Sequence, residues 1–156
     1  MIWRMRLELE PAAPAEPRWP EGVRPRTFTP ADAEALHALL VHGYRHGGGS
    51  VQPFDIWLPQ MTTDEEFEAD LWFVAEARDM LAGAVLCWTS AFVKDLVVHE
   101  QWRGRGLGEA LLRQAFSAFA ARGAEAVELK VQADNAPAVA LYERVGMRVV
   151  ERLEDD

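Results

Sequence analysis

Along its first ten residues the chain alternates: Trp3, Met5, Leu7 and Leu9 fall on one side, Arg4, Arg6, Glu8 and Glu10 on the other. A period of two predicts a strand over Ile2–Leu9 with one face buried. The stretch that follows, PAAPAEPRWPEG, carries Pro11, Pro14, Pro17 and Pro20, leaves few backbone donors and reads as an extended linker. The expected division is therefore a strand and linker over residues 1–22 and a main domain over residues 23–156. Val23–Phe28 predicts a short strand. Thr29-Pro30-Ala31-Asp32 then supplies an N-cap, a proline at the first helical position and an acid in the first turn, so a helix is expected to about Tyr44. The next segment, HGGGSVQPFDIWLPQMTT, predicts a loop without regular structure, packed over something because Phe54, Ile56 and Trp57 are more apolar than a solvated loop needs. A short helix over Asp64–Asp70 is expected next. Three strands follow, Leu71–Ala77, Leu81–Thr89 and Phe92–Val98, close enough in sequence to pair antiparallel.

The second half opens on LVVHEQWRGRGLGE, Leu96 to Glu109, where a branched apolar run gives way to glycines at alternate positions with arginines between them. Apolar run, glycines and the helix-forming EALLRQAFSAFAARG predict strand, tight turn and helix. Leu107, Leu111, Ala115, Ala118 and Phe119 recur at helical spacing, and Gly123 is a C-terminal cap. AVELKVQ alternates Val127, Leu129 and Val131 against Glu128, Lys130 and Gln132, predicting another strand. Pro137 opens a last helix, Gly146 closes it, and MRVVERL is the final strand.

Composition narrows the class. The chain has 156 residues, 49% hydrophobic and 26% charged, which suits one domain with one sizeable core. No apolar run approaches the roughly 18 residues that suggest a membrane span. The N-terminus lacks a secretory pattern, so a cytoplasmic protein without membrane partners is expected. Cys87 is the only cysteine, which excludes disulfide scaffolding and cysteine zinc sites. His37, His42 and His46 show no metal spacing, and no metal is expected. A formal net charge of -9 argues against nucleic acid, whose phosphates need a broad basic surface, and favours a cationic or amine-bearing partner.

Against that acidic background the local arginines stand out. A helix N-terminus carries unpaired N–H groups and partial positive charge, so a phosphate is stabilised there, and Gly104, Gly106 and Gly108 let the backbone come close. The nucleotide P-loop does not fit, because no glycine is followed by Lys and Ser or Thr. The dinucleotide fingerprint fits poorly, because Glu109 stands where a small residue is needed.

A third pattern fits better. Gln101-Trp102-Arg103-Gly104-Arg105-Gly106-Leu107-Gly108 resembles the Q/R-x-x-G-x-G/A signature of the GNAT superfamily of acyl-CoA-dependent N-acyltransferases. About 30 residues on, Asn135, Ala138, Leu141-Tyr142 and Gly146-Met147 match N-x-x-A-x-x-L-Y-x-x-x-G-F/M. The resemblance is strong from Leu71 to Val150 and absent from the first twenty residues and from Gly47–Thr62. It is closest to bacterial acetyltransferases related to mycothiol synthase.

It implies an α/β (α+β) fold with a mixed, mostly antiparallel sheet, split between the fourth and fifth strands, Phe92–Val98 and Val127–Val131, and flanked by helices. It implies acetyl-CoA as cosubstrate, with the pantetheine arm along Leu96, Val97 and Val98 and the diphosphate on Arg103, Gly104, Arg105, Gly106, Leu107 and Gly108. Asn135 and Ala138 belong to the same binding signature. The acceptor it implies is a primary amine, on a small molecule or a peptide. Amide formation from a thioester needs a neutral amine, donors for the oxyanion and a proton for the departing thiolate. A backbone N–H near Val98 can serve as the donor, and Tyr142 matches the family's acid. The glutamate that some relatives use as base falls at Lys130 here, which leaves Asp95, Glu76, Glu128, His99 or a water as candidates, Asp95 foremost. With the base unassigned, a catalytically silent acyl-CoA-binding or interaction domain is the alternative. The N-terminal strand can pair in cis or, across a homodimer, in trans.

Overall fold

The computed structural model describes residues 1–9, 14–46 and 49–154, in chain order β1 (Ile2–Glu8), β2 (Arg24–Thr27), α1 (Ala33–Gly43), α2 (Phe54–Thr62), β3 (Trp72–Ala77), β4 (Met80–Trp88), β5 (Phe92–Val98), α3 (Leu107–Ala121), β6 (Ala126–Gln132), α4 (Ala136–Arg144) and β7 (Arg148–Leu153). Part of the proline linker and Gly47–Gly48 lie outside the described residues. The strands make one sheet in the order β2-β3-β4-β5-β6-β1-β7. Every neighbouring pair whose register is resolved is antiparallel except β5 and β6. This is the mixed, helix-flanked sheet that the sequence implies.

The alternating N-terminal strand does not merely cover an edge. It lies inside the sheet, pairing with β6 through Ile2↔Gln132 to Glu8↔Ala126 and with β7 through Ile2↔Leu153 to Arg6↔Arg148. Both partners are strands of this same chain. Met5 is fully buried, while Trp3 and Leu7 pack against the same core. On the opposite face Arg4 and Arg6 both donate to Oε2 of Glu128, at 2.7 and 2.9 Å.

The sheet is covered on both faces because its central strands are apolar on both. Phe73, Ala75, Val85 and Cys87 meet α3, whose Leu107, Leu111, Ala115 and Phe119 form its buried stripe. Trp72, Val74, Ala84 and Leu86 meet Leu36, Leu40, Trp57 and Met61 of α1 and α2. Gly83 is required where α3 crosses: an added Cβ would lie 2.9 Å from the Val97 carbonyl oxygen and within 3.2 Å of Leu111 and Leu107.

Two expected elements are corrected. The Gly47–Thr62 segment is not wholly irregular, since Phe54–Thr62 is a helix, and Asp64–Asp70 is not a helix but turns leading into a single 3-10 turn at Ala69–Leu71. The physical reason is spacing: Phe54, Trp57, Leu58 and Met61 recur at helical intervals and bury one stripe against α1 and the sheet. That burial outweighs Pro59 inside the helix. Asp64-Glu65-Glu66, by contrast, has no apolar stripe to bury.

The expected cap starts one turn ahead of α1: Thr29 precedes a 3-10 turn at Pro30–Asp32, which leads into the α-helix at Ala33. The Thr29 N–H and hydroxyl both donate to Oδ2 of Asp32, at 2.8 and 3.2 Å, and Arg26 grips both carboxylate oxygens at 2.7 Å. The Arg26 guanidinium, helped by Thr29, holds the Asp32 carboxyl below its usual range against the opposing effect of burial.

Candidate active site

The site is made where the sheet stops being a sheet. β4 and β5 pair Leu86 with Asp95 and then Cys87 with Val93, so Lys94 is an extra residue, a bulge in β5. Beyond it the side-chain alternation changes face: Val93 belongs to the α3 side, and Val97 to the α1 and α2 side. β5 and β6 pair only at Phe92↔Glu128 and Val93↔Leu129 and then diverge. The antiparallel ladder alternates, and His99 donates to the Ala82 carbonyl at 2.7 Å, so Val97 likewise faces β4. The N–H and C=O groups of Leu96 and Val98 therefore turn toward β6, where the ladder has ended.

The gap is a cleft of about 710 Å³. Its walls include Leu96, Val97 and Val98 on one side, Leu129, Lys130 and Val131 on the other, and Asn135, Ala138, Leu141 and Tyr142 from α4. Arg103 and Gly108 line its mouth, and Gly43 and Tyr44 reach it from the end of α1.

At that mouth α3 starts on glycine for a conformational reason. Gly104 and Gly106 have φ of 76 and 84°, the left-handed region, and Gly106 is the N-cap. A Cβ at either position would meet nothing within 4 Å, so the space above the turn is open. The first helix bond closes from Ala110 N–H to Gly106 C=O at 3.1 Å, which leaves the N–H groups of Leu107, Gly108 and Glu109 without helical partners. Glu109, the residue that spoils a dinucleotide fingerprint, is turned aside: Arg144 and Arg113 each bind it at 3.1 Å. Those hydrogen bonds, Arg144 first, hold its carboxyl below the usual range.

The other named residues divide. Leu107 puts its side chain into the core, leaving only its backbone for a ligand. The Arg105 guanidinium lies 4.6 Å over the Trp102 ring, and both line a separate shallow groove beside Gly22 and Arg78. Asn135 caps α4, accepting from the Ala138 N–H at 3.3 Å. Tyr142 is half-buried in the cleft wall, and burial pushes its phenol up to about 12.

Among the candidate bases, Glu76 is bound by Arg24 and Arg26. Glu128 sits between Arg4 and Arg6; burial works to raise its carboxyl, but the hydrogen bonds from Arg6 and Arg4 outweigh it. His99 spends its Nδ1 accepting from the Gln101 N–H at 3.1 Å. Asp95 is different. It is 6% exposed, accepts a 2.6 Å hydrogen bond from the Tyr44 hydroxyl, and its Oδ2 lies 3.7 Å from Lys94 Nζ.

Asp95 also lines a second cleft, of about 310 Å³, walled by Leu40, Gln52, Trp57, Gln60, Asp64 and Trp88 among others. Lys94 lines both clefts, so they meet at the bulge. Sequence reasoning missed Tyr44 and this second cleft. The helical spacing of Phe54, Trp57 and Met61 was the signal for its wall; nothing in the sequence alone marks Tyr44. Among the described residues no group of three or more His, Cys, Asp and Glu is placed to hold a metal ion. No helix of these residues is long and apolar enough to cross a membrane.

Comparison with known proteins agrees with this geometry. Residues 34–147 match the family described as "Acetyltransferase (GNAT) family". The mycothiol acetyltransferase of Saccharomonospora viridis is 35% identical over 153 residues, covering 87% of this chain and 49% of that protein. That of Thermobispora bispora is 32% identical over 162 residues, covering 93% and 52%. The crystal structure of a GCN5-related N-acetyltransferase from Sphaerobacter thermophilus superposes with a TM-score of 0.81 at 34% identity, covering 95% of this chain and 48% of that one. The chain thus spans about half the length of the curated relatives it matches.

Proposed function

The chain belongs to the acetyltransferase (GNAT) family, and from that membership we propose that it transfers an acetyl group from acetyl-CoA to a primary amine. The observation that carries the reading is the pairing of free main chain at Leu96 and Val98 with the open glycine turn at the start of α3, across the cleft from Tyr142. The coenzyme supplies an acetyl thioester and a diphosphate. The residues present fit it: the left-handed glycines leave room for an anion, and the unpaired N–H groups of Leu107 and Gly108 are its donors. Arg103, Gly104 and Gly106 complete that end, while Arg105 lies in the separate groove beside Trp102. The N–H and C=O groups of Leu96 and the C=O group of Val98 hydrogen-bond the pantetheine amides, and Val97 keeps the strand registered against β4. Asn135 and Ala138 fix the start of α4 and hence Tyr142.

Tyr142 keeps its proton at neutral pH, because burial pushes its phenol up to about 12, and so it can donate to the departing sulfur. A main-chain N–H at Val98 stabilises the oxyanion. The amine enters through the second cleft and gives its proton to Asp95, the buried carboxylate at the junction. The second cleft carries Asp64 and Asp95 against Lys94, which favours a cationic over an anionic acceptor. Its wall is α2, so an acceptor is selected by the segment that the family signatures do not reach. On this reading residues 23–156 carry the machinery, and residues 1–22 complete the sheet beside β6.

The test is an amine panel incubated with acetyl-CoA, the products identified by mass spectrometry. Tyr142→Phe should lower kcat about 10²-fold and leave the acetyl-CoA Kd nearly unchanged. Binding of acetyl-CoA without turnover of any amine would mean a silent acyl-CoA-binding domain, and an unchanged kcat in Tyr142→Phe would make Tyr142 a packing residue.

A further inference from the structure

Tyr44 occupies a place that neither family signature reaches. It ends α1, and its ring is held against Gly49, where an added Cβ would lie 3.2 Å from it. The ring lines the first cleft, yet the hydroxyl reaches Oδ1 of Asp95, which lines the second. We propose that Tyr44 is a positioning residue of the transfer reaction: by donating to Oδ1 of Asp95 at 2.6 Å it leaves Oδ2 alone to receive the amine proton at the junction of the clefts.

A carboxylate on a strand can turn about its last side-chain bond, and a base that turns presents either oxygen or neither to its substrate. Tyr44 removes that freedom by engaging one oxygen with a charge-assisted hydrogen bond. The other oxygen faces Lys94, the residue common to both clefts, at 3.7 Å. The groups facing the carboxylate are thus Tyr44 from α1, Lys94 from β5 itself and the thiol of Cys87 from β4, whose ionisation is pushed up by burial and by Asp95. Burial, then the charge of Asp95 and the bond to it, also push the Tyr44 phenol above its ordinary range, so Tyr44 remains a donor at neutral pH. In the reaction the C–N bond forms as the amine proton passes to Oδ2, and the C–S bond breaks as the Tyr142 proton passes to sulfur. Tyr44 neither gains nor loses a proton overall.

This inference rests on the reading of Asp95 as base, and a double-mutant cycle separates the two. With acetyl-CoA and ethanolamine as the probe acceptor, and thiol release as the readout, Asp95→Asn should lower kcat about 10²-fold and Tyr44→Phe about tenfold. The double variant should be no slower than Asp95→Asn alone, because Tyr44 acts only through that carboxylate. Tyr44→Phe should leave the acetyl-CoA Kd within twofold, since the ring remains. Losses that multiply in the double variant, or a Tyr44→Phe protein at the wild-type rate while Asp95→Asn is slow, would overturn the positioning role. Asp95→Asn at the wild-type rate would overturn the base assignment itself, and absence of thiol release from the wild type with ethanolamine and with every other amine of the panel would overturn both.

A second readout needs no acceptor. The chain has 2 tyrosines, so a Tyr142→Phe protein reports Tyr44 alone by tyrosinate absorbance. Its ionisation should move to lower pH when Asp95→Asn is added, and an unmoved titration would show that the bond does not form.

Discussion

The two clefts that meet at Lys94 are built in opposite ways. The larger is made of main chain: a ladder that ends after two residue pairs, and glycines whose missing side chains leave a helix N-terminus bare. The smaller is made of side chains on α1, α2, β4 and the bulge: Leu40, Trp57, Gln60, Trp88 and Asp95, whose carboxylate Tyr44 holds from the first cleft. A main-chain site can keep the same ligand while side chains drift, whereas a side-chain site changes its ligand with each substitution. Adding atoms should damage the first cleft, and removing a charge partner should damage the second.

The largest expected effect comes from adding atoms beneath α3. Gly83→Val places a Cβ 2.9 Å from the Val97 carbonyl, backbone that cannot swing aside, and should cost about 2–3 kcal/mol as overpacking. Thermal unfolding would show it as a lowered midpoint, and an unchanged midpoint would mean that α3 does not press on β4.

On the side-chain half, the Arg26–Asp32 pair anchors the α1 helix that carries Tyr44. The Asp32 carboxyl is depressed by Arg26, so its contribution is present above the unfolded value near 3.9 and is lost as the pH falls through its lower folded value. Arg26 is 29% exposed at its side chain, so solvent screening trims the loss to about 1–2 kcal/mol. Stability measured by urea titration below pH 4 should fall less steeply in Arg26→Met than in the wild type. Equal slopes would show that the pair contributes nothing.

The smallest of the three is local. Gly106→Glu adds a negative charge where a diphosphate is proposed to lie; its Cβ would meet no protein atom within 4 Å, the left-handed φ of 84° adds backbone strain, and the acetyl-CoA Kd should rise at least tenfold, about 1.4 kcal/mol. Calorimetric titration of the folded variant measures it, and an unchanged Kd would put the coenzyme elsewhere.

The same contrast explains what the sequence revealed. The strand–glycine–helix junction at Leu96–Glu109 is legible because each step follows from local chemistry, and β1 is legible as a strand from its alternation. Its place between β6 and β7 is not, since register depends on partners far along the chain. α2 was obscured by flanking glycines and by Pro59, although its apolar spacing was there to be read. The bulge at Lys94 leaves no local mark, and it alone directs Asp95 and Val97 to one face and Leu96 and Val98 to the other. Choosing Asp95 over Glu128 or Glu76 likewise needs the arginines that bind those two, Arg4 and Arg6 for the first and Arg24 and Arg26 for the second.

The central claim is that coenzyme completes the interrupted sheet at β5, and amide hydrogen exchange resolved by residue tests it most directly. The Val97 and His99 amides face β4 and should exchange slowly with or without acetyl-CoA. The Leu96 and Val98 amides face the open cleft and should exchange faster in the free protein, then become protected when acetyl-CoA binds, together with Leu107 and Gly108. Protection that leaves Leu96 and Val98 unchanged and arises at another surface would contradict the account.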